Sequence, residues 1–281
     1  MATRMLVGVK NFDTSRTAVR WAAERAKSRG LGLHLVHIVD EGMRRAGSAG
    51  LLEAARSDIG QMLASAEELA RTVAPGLEVA TETRVGDPQA DLIALSRDVE
   101  MVVVGSDSTG QDTSRRHGNR GFRIAAASTT PVAVVPAVDY SGRSGVVVGV
   151  DGSPSSEHAL VFAVEEAERL GQPLIAVNAW PNPVVYGYDL AFPVEYVEDL
   201  TEIGNQTLAR ALDGVMGAHP NLQVRRIVAE GDPVTVLSEV AEDASLIVVG
   251  SHGRGAVARF LLGSVSHGVL ARLSAPTVIA R

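Results

Sequence analysis

The sequence predicts two α/β domains in tandem, each a doubly wound, five-stranded parallel sheet with helices on both faces. Three observations predict this: the chain repeats itself, short β-branched runs alternate with longer helical patterns, and the strand runs are apolar throughout. Residues 6–26 (LVGVKNFDTSRTAVRWAAERA) lie over residues 147–167 (VVGVDGSPSSEHALVFAVEEA) without a gap, at an offset of 141. The runs LHLVHIV (33–39) and IAVNAW (175–180) keep that offset, whereas VGDP (85–88) over EGDP (230–233) needs 145. The later offset then aligns MVVVGSDSTG (101–110) with LIVVGSHGRG (246–255), and TPVAVV (130–135) with APTVIA (275–280).

Within the second copy, strands are predicted near 145–150, 173–179, 222–228, 245–250 and 276–280, with helices between them. Alternation of this kind is the mark of parallel βαβ units. Strands apolar on both faces are expected where helices cover both sides of a parallel sheet. The helix expected over 155–170 brings Ala159, Phe162, Ala163 and Ala167 round at three- to four-residue spacing, with Glu165, Glu166 and Arg169 assigned to the other face. Pro154 suits its first turn. Asp87-Pro88 and Asp232-Pro233 precede the third helix of each copy, where Asp before Pro is a capping signal rather than a pair of catalytic acids. The expected domains are 1–139 and 145–281, joined by the polar, glycine-bearing segment YSGRSG (140–145).

Composition bounds the function. At 281 residues, 46% hydrophobic and 21% charged, the chain can bury two ordinary cores. Its longest apolar stretches are short runs such as MVVVG (101–105), far below the roughly 20 residues that cross a bilayer, so no membrane partner is expected. A net charge of −7 supplies no basic field and argues against nucleic acid as the main partner. The absence of cysteine removes thiol chemistry, and with no secretory signal in MATRMLVGVKNF the expected location is cytoplasmic.

Open parallel sheets bind ligands beyond the carboxyl ends of their strands, where the strand order reverses. In a flavodoxin-like sheet ordered 3-2-1-4-5, strands 1 and 4 are neighbours and their ends face one crevice. In the second copy those ends are GVDGS (149–153) and GSHGRGAVARFLLGS (250–264). Gly250, Gly253 and Gly255 are expected to allow positive φ and close backbone approach around an anion. Gly263 and Ser264 open a helix whose free N–H groups suit phosphate oxygens, and Arg254 can add charge. Asp151, across the crevice, is an acceptor for a base amino group or a ribose hydroxyl. No Gly-Lys-Ser/Thr tripeptide follows, so this is not a P-loop. GRGAVA (253–258) formally matches the dinucleotide fingerprint, but it follows the fourth strand and has no acid at the ribose distance.

Gly250, two residues, Gly253, nine residues, Gly263 and Ser264, taken with the Val-Gly-Val-Asp-Gly-Ser strand end, closely resemble the universal stress protein family. The resemblance covers nearly the whole chain as two copies of a HUP-type domain. It implies the 3-2-1-4-5 sheet and, in the ATP-binding branch, ATP held by the glycine motif, with Mg²⁺ as an optional companion. It further implies that Gly149, Val150 and Asp151 approach adenine and ribose, and that Asn178 and Ala179 close over the base. Gly250, Ser251, His252, Gly253, Arg254 and Gly255 would cradle phosphates, completed by Gly263, Ser264 and Val265. Family members act in stress survival and dormancy, usually as dimers or tandem pseudo-dimers.

The copies are unequal: Lys10 replaces Asp151, Ser108 replaces Gly253, and Asn119 replaces Ser264. The first copy also places Asp107 and Asp112 where phosphates would lie, partly offset by Arg115 and Arg116. One competent site, in the second half, is therefore expected. Among the histidines, His252 lies in the loop, His267 is expected on a helix surface, and His37 is expected as a satisfied core group. Trp21 and Phe162 hold equivalent helix positions and are explained by packing. Trp180, Tyr186, Tyr188, Phe192 and Tyr196 cluster in the divergent segment 180–196, which reads either as a lid or partner surface or as an ordered loop packed on the second helix. The leading expectation is an ATP-binding, nucleotide-dependent regulator of stress survival or dormancy with an unidentified protein partner. A nucleotide-free interaction scaffold and a slow ATPase stand as alternatives, and no catalytic or metal-binding residue is expected.

Overall fold

The computed structural model describes residues 4–40, 49–106, 119–181, 194–253 and 262–281. The chain divides into two compact units, Met1–Asp139 and Tyr140–Arg281. Unit 1 runs β1 (Arg4–Gly8), α1 (Phe12–Ser28), β2 (Gly32–Asp40), α2 (Ala49–Val73), β3 (Val79–Gly86), α3 (Pro88–Leu95), β4 (Met101–Ser106), α4 (Asn119–Ala127) and β5 (Val132–Pro136). Its strands pair in parallel in the order β3-β2-β1-β4-β5. Unit 2 runs β6 (Val146–Gly149), α5 (Pro154–Leu170), β7 (Leu174–Trp180), α6 (Val194–Met216), β8 (Val224–Glu230), α7 (Pro233–Val240), β9 (Leu246–Gly250), α8 (Ser264–Ala271) and β10 (Thr277–Ala280). It pairs, also in parallel, as β8-β7-β6-β9-β10. Each unit is thus the 3-2-1-4-5 doubly wound sheet that the repeat pattern predicts.

The central strands are apolar on both faces because both faces are covered. Leu6, Val7, Val102 and Val103 in unit 1 are fully buried, as are Val146, Val147, Val148 and Val248 in unit 2. Each such side chain contributes roughly 1.5–3 kcal/mol relative to exposure. The helix signals lie where the sequence puts them. Asp87 accepts from the N–H groups of Gln89 and Ala90 at 3.0 and 2.8 Å, and Asp232 accepts from that of Thr235 at 3.0 Å. Pro88 and Pro233 follow as first helical residues. Ser153 caps α5 ahead of Pro154.

One expectation on α5 needs correcting. Glu165 is exposed, but Glu166, assigned above to the solvent face, is fully buried. Arg169, one turn on and half-buried, donates to Glu166 Oε2 from Nε at 3.0 Å and from Nη2 at 2.9 Å. A carboxylate is tolerated inside only when a partner replaces the lost water. The amphipathic pattern identifies the helix but cannot separate an exposed acid from one paired inside.

The segment before β6 is tied to unit 2. Arg143 Nη1 donates to the carbonyl of Ser274 at 2.8 Å, and the Ser144 N–H donates to the carbonyl of Asp243 at 3.0 Å. Among the described residues no helix is long and apolar enough to cross a membrane.

Candidate functional site

The ends of β6 and β9 are neighbours at the point where strand order reverses in unit 2, and a cleft of about 360 Å³ opens there. Such a volume is in the range of small-molecule sites. From the end of β6 come Gly149, Val150 and Asp151, and from β7 come Asn178 and Ala179. From the end of β9 and the start of α8 come Gly250, His252, Gly253, Gly263, Ser264 and Val265. Of the residues singled out by sequence, Arg254 and Gly255 lie outside the described residues. Ser251 is described but does not line the cleft.

Asp151 is held by the turn that follows it. Its Oδ1 accepts from the Ser153 N–H at 2.9 Å and from Ser153 Oγ at 2.6 Å. Gly152, between them, has φ +77, a conformation that glycine adopts without strain. The other carboxylate oxygen faces the loop: a Cβ built on Gly253 would stand 2.9 Å from Asp151 Oδ2. The aspartate and the glycine loop, separate in sequence, therefore meet across the cleft.

Ser251 pins the loop from beneath. It is 6% exposed, its Oγ lies 3.3 Å from Ser155 Oγ and 3.0 Å from His252 Nδ1, and its carbonyl accepts from the Gly263 N–H at 2.9 Å. Ser266 Oγ donates to the same carbonyl at 3.2 Å. These bonds draw the two ends of segment 252–263 together, so that α8 starts beside Gly253. The helix has Gly263 as its N-cap, and among the described residues no side chain caps it. Its first-turn N–H groups, at Ser264, Val265 and Ser266, have no acceptor within the helix.

The glycines work differently from the expectation of positive φ. Gly250, Gly253 and Gly263 all lie outside the left-handed region. Gly250 is required by close approach, since a Cβ there would fall 2.6 Å from the carbonyl oxygen of Ser155 at the start of α5. Gly105, its counterpart in unit 1, would meet the carbonyl of Thr14 at the same 2.6 Å. That glycine serves helix-to-strand packing in both units, whatever binds.

A wall of the cleft was not visible as a motif. Leu200, Ile203, Gly204 and Thr207 of α6 line it, joined by Trp180, Pro181 and Leu237. The signal that could have found the wall is Gly204, a glycine inside a helical pattern, where the residue is otherwise costly. Tyr186, Tyr188 and Phe192 lie outside the described residues, as does the side chain of Tyr196.

In unit 1, Lys10 stands where Asp151 does, and its N–H donates to Ser15 Oγ at 3.2 Å, matching the 3.3 Å bond from Asp151 N–H to Ser156 Oγ. The frame is kept while the side chain changes from acid to base. Ser108, Asp107, Asp112, Arg115 and Arg116 lie outside the described residues, and Asn119 opens α4. His37 is half-buried with Nδ1 2.8 Å from the carbonyl of Val9. His267 is exposed, and Trp21 is buried under the guanidinium of Arg25, 3.8 Å from the ring centre.

Comparison with known proteins agrees with this architecture. The family model described as the universal stress protein family matches residues 1–136 and again 143–281. A universal stress protein of Mycobacterium tuberculosis is 32% identical over 301 residues, spanning 99% of this chain and 94% of the relative. One of Mycolicibacterium smegmatis is 33% identical over 287 residues, spanning 99% and 96%. Among solved structures, a universal stress protein from Archaeoglobus fulgidus superposes with a TM-score of 0.70 at 17% identity, covering 99% of this chain and 96% of that one. Two family matches end to end, and relatives similar along their whole length, show that this chain belongs to the universal stress protein family as a tandem two-domain member.

Proposed function

We propose that unit 2 binds ATP in this cleft and that the chain acts as a nucleotide-dependent regulator of stress survival or dormancy. The observation that supports the reading best is the meeting of Asp151 with Gly253 beside the uncapped start of α8. An acceptor suited to ribose hydroxyls, a backbone close enough to wrap an anion and free helical N–H groups form the acceptor and donors a nucleotide needs. A side chain at position 253 would fill the cradle, and the sequence places none there. The apolar wall on α6 suits the face of a base.

In this reading Gly149, Val150 and Asp151 hold the nucleoside end. His252, Gly253, Gly263, Ser264 and Val265, with Arg254 and Gly255, hold the phosphates, while Ser251 and Gly250 position the loop. Magnesium, when bound with the nucleotide, would neutralise phosphate charge. The same reading has the chain regulate through a protein partner, pair with a second copy and work in the cytoplasm, by analogy with its family.

The test is native mass spectrometry of the gently purified protein, followed by release and chromatographic identification of any nucleotide, and calorimetric titration with ATP. One ATP per chain is expected. Two per chain would remove the single-site reading, and none at millimolar ATP would put the nucleotide-free scaffold in its place. Release of ADP on incubation would add a slow ATPase activity to the binding.

A further inference from the structure

The backbone of α6 reaches the sheet at one point. A Cβ built on Gly204 would fall 2.6 Å from Val228 Cγ1 on β8 and 2.8 Å from Asn178 Oδ1 on β7. Contacts that short are not adopted by real Cβ atoms, so any other residue at 204 must push the helix outward or displace Asn178. Glycine in mid-helix is otherwise disfavoured, which makes close approach its reason for being there.

Both consequences reach the cleft. Asn178 Nδ2 donates to the carbonyl of Val150 at 2.7 Å, and both residues line the cleft, so displacing Asn178 disturbs its floor. Leu200, Ile203 and Thr207 sit within one turn of Gly204 on the same helix and form its wall. Ile203 is 52% exposed, an apolar side chain at the rim with little protein over it.

Unit 1 supplies a comparison within the same chain. The offset of 145 that aligns the third strands sets Ile59 against Gly204 and Leu63 against Leu208, and both leucines are buried. Over 60–63 and 205–208 the helices bury and expose corresponding positions alike, while Ile59 is half-buried where Gly204 is buried. The helix position that comes closest to the sheet in unit 2 thus carries a β-branched side chain, Ile59, at the matching place in unit 1.

We propose that Gly204 is the specificity-determining residue of the unit 2 cleft: it sets the width of a slot, between α6 and the ends of β6 and β7, that admits a purine base. The inference rests on the nucleotide reading above and deepens it. The asymmetry between the copies then lies in the second helix as well as in the glycine loop.

The experiment compares calorimetric affinities of the full chain for ATP and CTP in wild type, Gly204→Ala and Ile203→Ser, with thermal unfolding run on each. The wild type is expected to prefer ATP. In Gly204→Ala the ATP affinity falls at least tenfold while CTP changes little, so the preference collapses. Ile203→Ser, at an exposed site, reduces the same preference severalfold without moving the unfolding midpoint. Should Gly204→Ala fail to fold, the Ile203→Ser preference decides alone. A wild-type preference that survives substitution overturns the inference and leaves nucleotide binding standing. Equal wild-type binding of ATP and CTP overturns it as well. A wild type that binds neither nucleotide removes the reading beneath it and the inference together.

Discussion

Asn178 donates from Nδ2 to the carbonyl of Val150 at 2.7 Å, tying the end of β7 to the residue that follows β6. In unit 1 His37 makes the same tie, with Nδ1 2.8 Å from the carbonyl of Val9. Two different side chains satisfy one backbone carbonyl at one place in the fold, which marks the tie as structural and the side chain's remainder as free to vary. Asn178→Ala should cost about 1–3 kcal/mol, the penalty for leaving a buried polar group unpaired. Asn178→His should recover most of that loss, because unit 1 already houses the imidazole. Urea unfolding followed by Trp180 checks this, since the chain has two tryptophans and the other, Trp21, belongs to unit 1. Equal losses in the two variants would show that the carbonyl is not what Asn178 serves.

The contact between Gly253 and the Asp151 carboxylate separates binding from folding. Gly253 is exposed, so Gly253→Val removes no core packing, yet its first carbon would stand 2.9 Å from Asp151 Oδ2. ATP affinity should fall roughly 10- to 100-fold, equivalent to about 1.5–3 kcal/mol for a charge-assisted contact. The unfolding midpoint without nucleotide should stay within a degree or so. Asp151→Asn should give a comparable loss of affinity, and calorimetry reads both. Undiminished binding in the two variants would remove the cleft from the nucleotide's path.

Gly250 and Gly105 make the opposite case. Each would bring a Cβ to 2.6 Å from a carbonyl oxygen at the start of its unit's first helix, that of Ser155 on α5 or of Thr14 on α1, and backbone does not yield cheaply. Gly250→Ala should destabilise unit 2, and Gly105→Ala unit 1, by about 1–3 kcal/mol each, as overpacking does. Trp180 in a Trp21→Phe background and Trp21 in a Trp180→Phe background report the two units separately. If Gly250→Ala loses ATP affinity while unit 2 unfolds at the wild-type denaturant concentration, the glycine faces ligand rather than helix.

The sequence carries the sheet well, because strands buried on both faces leave continuous apolar runs and the duplication supplies a second copy of each. Residues 146–149, 174–180, 224–230, 246–250 and 277–280 form strands within two residues of the expected spans. The caps at Asp87 and Asp232 were equally legible, since a carboxylate before proline has a local purpose. Strand ends and the glycine motif located the cleft, because the switch point follows from strand order alone. The wall from α6 was not legible: its contribution depends on how closely a helix approaches the sheet, a distance set by Gly204 against Val228 and Asn178 across more than twenty residues of chain. Ser251 reads as one more loop residue, while its burial follows from the bonds that close the loop from both sides.

Unit 1 contains a histidine whose titration should be visible in stability. His34 is 7% exposed on β2, with Nε2 3.0 Å from Glu82 Oε2. Burial holds its pKa below the ordinary 6.5, Glu82 opposes that shift, and Arg4 and Arg84 reinforce it. A histidine with a depressed folded pKa favours the folded state while it is neutral in both states, above about pH 6.5. As the pH falls below that, the unfolded chain takes up the proton first, and stability declines until the folded pKa is passed. His34→Ile should abolish this component, because Ile175 stands at the matching position of unit 2. The difference in unfolding free energy between wild type and His34→Ile, read through Trp21, should therefore be constant above neutrality. It should shift against the wild type as the pH drops through 6.5 and flatten again at lower pH. Parallel curves across that range would mean that His34 titrates alike in both states and that its burial does not govern its charge.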